Sequence, residues 1–182
     1  MSLYSLALFL HVVGALLLFV TLTVEGVALR LLRRAAAAAE IGGAASMLRV
    51  NRVVGPVSAL GVLVPGLYMT ATSWGAAAWI VVALISWVLI AVLGAFNGIR
   101  ILALERSLAN EGRPSALAQL RNPFFLVSWL TRVGIALGVI FLMTVKPGEL
   151  GSVLAVLIAA GAGSAVGIAL AASRVKREGQ VA

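Results

Sequence analysis

Four side chains stand out against long apolar runs: His11, Glu25, Asn97 and Arg132. A charge near the centre of a bilayer costs at least about 2.5–3.5 kcal/mol, so such groups pair with one another or face water. His11 is the sole histidine. An imidazole nitrogen can be an axial ligand of haem iron, bind copper or transfer a proton. It can equally be a buried group hydrogen-bonded to a neighbouring helix, because one histidine does not complete a metal site unaided. Met69 and Met143 are candidate second ligands, without diagnostic spacing.

Residues 11, 14, 18, 22 and 25 recur at helical spacing and share one helix face. His11 and Glu25 are then roughly 21 Å apart along the axis. They do not touch but can line one groove. Gly14, one turn from His11, would let a flat macrocycle or another helix come close. His11 and Gly14 are therefore the candidate cofactor-binding residues, with His11 the metal ligand. Arg132 lies well inside its apolar run and Glu25 about a turn inside its own, from the same side. A long arginine and modest tilt bridge that difference in depth. This predicts a Glu25–Arg132 ion pair, or a polar network shared with Asn97, Ser128 or Thr131. The same groups could form a proton path or hold an anion.

Other chemistry finds little support. No P-loop, dinucleotide fingerprint, H-E-x-x-H or G-x-S-x-G occurs, so no catalytic residue is assigned and an enzyme is not the favoured class. The chain has no cysteine. That excludes disulfides, thiolate metal sites, iron–sulfur clusters and covalent haem attachment. Nucleic acid is not an expected partner, since no basic stripe with interleaved aromatics is present.

The elements that position these residues follow from composition. Of 182 residues, 62% are hydrophobic and 11% charged. A soluble domain carries about 25% charged residues. Runs of about 20 apolar residues cross a bilayer core. The expected fold is all-α: an integral membrane bundle of about five transmembrane helices forming a single domain over residues 1–182. The spans are placed at about 3–29, 53–72, 76–101, 124–145 and 150–172. Met1–Phe9 lack Lys and Arg, so a cleavable signal is not expected.

Local signals refine the spans. The Ala35–Ala39 run is expected to extend the first helix to Glu40, with Gly42-Gly43 as its stop. Pro65 predicts a kink in the second. Ser73-Trp74-Gly75 is a short connection that makes spans 2 and 3 a tight hairpin, with Trp74 and Trp79 suited to the interface. Arg113-Pro114 opens a short amphipathic segment to Leu120. Asn122-Pro123 has the form of an N-cap followed by proline at the first helical position. Lys146-Pro147-Gly148-Glu149 is a turn, and the tail with Arg174, Lys176 and Arg177 is expected to fray.

The net charge is +8 and the pI about 11.5. Arg30, Arg33, Arg34, Arg49 and Arg52 flank the first connection, and Arg100, Arg106, Arg113 and Arg121 the third. With the tail, twelve of the fourteen Lys and Arg fall on one side. The positive-inside rule makes that side cytoplasmic, which puts the amino terminus outside and the carboxyl terminus inside. Gly94/Gly98, Gly134/Gly138 and Gly163/Gly167 are small-residue pairs that allow close helix approach. They serve either homodimerisation or docking to a membrane-complex partner, or packing within one bundle.

Phe9-Leu10-His11-Val12-Val13-Gly14-Ala15 resembles the first-helix signature of several small bacterial membrane families. One is an uncharacterised integral membrane family of similar length, with a basic first loop, a Gly/Pro-containing second span and a Trp-rich third. Others are the copper-resistance D-like proteins and the HemJ-type protoporphyrinogen oxidases. The resemblance implies a multi-pass protein of a bacterial inner membrane and a first-helix histidine that takes part in haem or metal binding. The chain has no Lys within a span, which departs from the HemJ-type pattern. Three functions are thus open: binding of haem b or a metal through His11, a non-catalytic accessory subunit, and a small transporter using Glu25 and Arg132.

Overall fold

The structure is a computed structural model and describes residues 2–34, 38–110 and 122–178. All regular structure among these residues is helical. The helices are α1 (Leu3–Arg34), α2 (Ala38–Met69), α3 (Ala78–Asn110), α4 (Pro123–Val145) and α5 (Glu149–Glu178). A π-helical turn, Thr70–Trp74, closes α2. Five helices are long and apolar enough to cross a membrane. Large apolar side chains such as Leu3, Val53, Ile99 and Leu150 are exposed at 63–72%. Surface of that kind suits hydrocarbon rather than water, so the helices contact a lipid bilayer.

The chain forms two compact units, Met1–Ala77 and Ala78–Ala182. In the first, α1 and α2 pack antiparallel. Trp74 Nε1 donates to the Tyr4 hydroxyl at 3.2 Å, and Asn51 Nδ2 donates to the Thr21 carbonyl at 3.1 Å. Helix α2 begins at Ala38, well before the expected Val53, and runs through Gly42-Gly43 without stopping. A glycine costs about 1 kcal/mol in a helix interior. Burial of Ala44 and Leu48 just beyond offsets that cost. Pro56 and Pro65 both lie inside α2. The π-turn ends at Gly75, whose amide donates to the Thr70 carbonyl at 2.8 Å. Gly75 has φ 61° and ψ −160°, a conformation open essentially to glycine alone.

In the second unit, α4 packs antiparallel to both α3 and α5. Asn122 caps α4 by accepting from the Phe124 amide at 2.9 Å, with Pro123 opening the helix, as the sequence pattern predicts. Lys146 ends α4 in the left-handed region at φ 51°. The amphipathic segment expected from Arg113 to Leu120 lies outside the described residues. Helix α5 continues past Ala172 to Glu178, so the basic tail is helical over that stretch.

Small residues set the α4–α5 spacing. A methyl group on Gly134 would collide with the Ala159 carbonyl oxygen, and one on Gly163 with that of Leu130. One on Gly167 would stand 2.8 Å from the Val127 Cα. Thr131 and Ser164 share a hydroxyl–hydroxyl hydrogen bond of 2.7 Å across this seam. The glycine pairs of α4 and α5 are thus occupied by each other. Gly98 of α3 and Gly161 of α5 face open space.

Candidate functional site

His11 projects from α1 onto the stretch of α2 around Pro65. A proline at 65 has no amide to offer the carbonyl four residues earlier, that of Gly61. Gly14 sits on that carbonyl: a methyl group on Gly14 would collide with the Gly61 carbonyl carbon and stand 2.7 Å from its oxygen. One turn before Gly14, His11 Nδ1 lies 2.8 Å from the Val62 carbonyl oxygen. A carbonyl only accepts, so Nδ1 carries the proton, and in the neutral ring the lone pair resides on Nε2. Gly66 completes the niche: a methyl group there would come within 3.1 Å of both Cε1 and Nδ1 of the ring.

His11 and Gly14 therefore act together, but on a helix. The spacing that puts them on one face also aims both at Gly61, Val62 and Gly66. Of the two expected uses of Gly14, room for a macrocycle or for another helix, the second is realised. Gly61, Val62, Pro65 and Gly66 were not identified as site residues from the sequence. The signal for them was a proline followed by glycine at the depth of His11, legible once α1 and α2 are paired antiparallel.

The facing pairs 11 and 62, 14 and 61, and 21 and 51 fix the register of α1 against α2. Glu25 then comes level with Leu48 and Arg49. It is buried, at 5% exposure. From Leu3 it is about 33 Å along the axis, as far as the hydrocarbon core is thick, about 30 Å. Met69 lies on α2 two turns beyond Val62 and is buried. Met143 belongs to the other unit.

The second unit holds the other polar residues. A methyl group on Gly94 of α3 would stand 3.2 Å from Arg132 Nη1, so the guanidinium packs over this glycine. Arg100 lies over the Phe124 ring at 4.2 Å, and Lys146 Nζ over the Trp79 ring at 5.8 Å. The pairs 94 and 132, 100 and 124, and 79 and 146 give a constant register. It brings Asn97 level with Ser128. Asn97, Ser128 and Arg132 are all buried, at 1–5% exposure. Ser128 Oγ is buried with no hydrogen-bond partner among the described residues. That register places Asn97, Ser128 and Arg132 on facing turns of α3 and α4. Thr131 points instead to the α5 seam.

No group of three His, Cys, Asp or Glu side chains that could hold a metal ion occurs among the described residues. His11 by itself offers one ring nitrogen, and a bare ion held by side chains alone needs several ligands. No protein-family model matches the chain, and neither the curated proteins nor the solved structures contain a match.

Proposed function

We propose that the chain is a multi-pass protein of a bacterial inner membrane that binds haem b through Nε2 of His11. Twelve of fourteen Lys and Arg on one side support an external amino terminus and a cytoplasmic carboxyl terminus. His11 then belongs to the outer leaflet. The observation that carries the reading is the 2.8 Å hydrogen bond from Nδ1 to the Val62 carbonyl. Metal-binding histidines characteristically donate their second ring N–H to such a partner, which fixes the tautomer and ring orientation and raises ligand basicity. Haem iron bound at Nε2 would supply electron transfer or ligand binding. The chain's own part is to hold the ring against Gly66 and keep the lone pair on Nε2. Titration of the detergent-purified protein with haemin should give a Soret band that His11→Ala abolishes. A band that survives the substitution refutes the assignment.

A second reading has its own support. Gly14 closes on the Gly61 backbone, and His11 adds a polar clasp to the same contact. On this reading the chain is a cofactor-free accessory subunit, and the clasp only joins two helices. His11→Asn separates the two, because its amide nitrogen can replace Nδ1 as donor to Val62 while Nε2 is lost.

A further inference from the structure

The face of α2 turned away from α1 combines an apolar stripe with a single cationic cap. Val53, Val57, Leu60, Val64 and Leu67 are exposed at 45–69%. At 100° per residue these five positions fall within an arc of about 80°. Arg49 lies on the same arc, one turn before Val53, and its side chain is exposed. From Arg49 to Leu67 the helix rises about 27 Å, close to the thickness of the hydrocarbon core, about 30 Å. Arg49 thus stands where an apolar stripe of bilayer length ends. Its side chain makes no hydrogen bond or ion pair among the described residues. Glu25, at the same level on α1, is buried rather than turned to this face. Arg52, one turn away, is also exposed.

We infer that this face is a binding site for one anionic phospholipid, its phosphate on Arg49 and an acyl chain along Val53–Leu67. A guanidinium offers two parallel donors to phosphate oxygens, which suits it to this headgroup better than a lysine. The apolar stripe alone would accept any lipid. The cation at its end selects for net negative charge. A soluble anion would use Arg49 but gain nothing from the stripe.

Native mass spectrometry of the intact detergent-purified chain tests this. The probes are phosphatidylglycerol, phosphatidylcholine of matched chains, and inorganic phosphate. Phosphatidylglycerol should be retained several-fold more than phosphatidylcholine, and inorganic phosphate should not displace it. Arg49→Gln should weaken phosphatidylglycerol retention about fivefold, the effect of one basic residue at a membrane surface. Arg106→Gln, an exposed arginine on α3, should leave it unchanged. Equal retention of the two lipids, displacement by phosphate, or unchanged retention in Arg49→Gln overturns the inference. If Arg49→Gln does not purify, Arg49→Lys serves: a fall of twofold or more is expected, and an unchanged value overturns it.

Discussion

Replacing Gly14 by alanine should prise α1 from α2 at the very place where His11 binds. The added carbon would stand 2.7 Å from the Gly61 oxygen and from the Val62 nitrogen, against about 3.4 Å for ordinary contact. Both obstacles are backbone, so no rotamer change relieves them. The helices must separate by at least about 0.7 Å there. The 2.8 Å bond from His11 to Val62 would stretch to about 3.5 Å, beyond useful hydrogen-bond length. Overpacking of this kind costs about 1–3 kcal/mol, and an interhelical hydrogen bond in a membrane protein contributes about 0.6 kcal/mol. Alanine's better helix propensity returns up to about 1 kcal/mol. The net loss should be about 1–3 kcal/mol, which unfolding by sodium dodecyl sulfate in mixed micelles can resolve. Gly61→Ala is the internal control. Its methyl group would meet only the Gly14 Cα, at 3.4 Å, so its stability should stay within about 0.5 kcal/mol of the parent. Equal stability of Gly14→Ala and the parent, or a larger loss for Gly61→Ala, would refute the close-contact reasoning.

A further outcome is expected. Gly163→Ala should destabilise the α4–α5 seam by about 1–3 kcal/mol in the same assay, whereas Gly161→Ala, facing open space, should be neutral; a reversed order would mean that α5 turns a different face to α4.

The long apolar helices were legible because nothing competes with runs of that length and composition. The helix start at Asn122-Pro123 was legible because its capping is local. Other features depend on partners that sequence spacing does not reveal. Gly42-Gly43 carries the composition of a stop, yet α2 passes through it, since packing around Ala44 and Leu48 outweighs the local cost. The shared face of His11 and Gly14 was evident from a three-residue spacing. What that face meets was not, because it required the antiparallel register that aligns His11 with Val62. Glycine pairs on spans 3, 4 and 5 looked equivalent in sequence. Only those of α4 and α5 interlock, while Gly94 accommodates the Arg132 guanidinium.

The most direct test of the proposed role of His11 is the visible absorption spectrum of the parent and His11→Asn proteins after one equivalent of haemin, with detergent unfolding measured on both. The parent should develop a Soret band. His11→Asn should unfold at nearly the same detergent fraction, because its amide still reaches Val62, but develop no band. No band in the parent, or a band of equal strength in His11→Asn, would contradict haem ligation by Nε2 and leave His11 as a helix clasp alone.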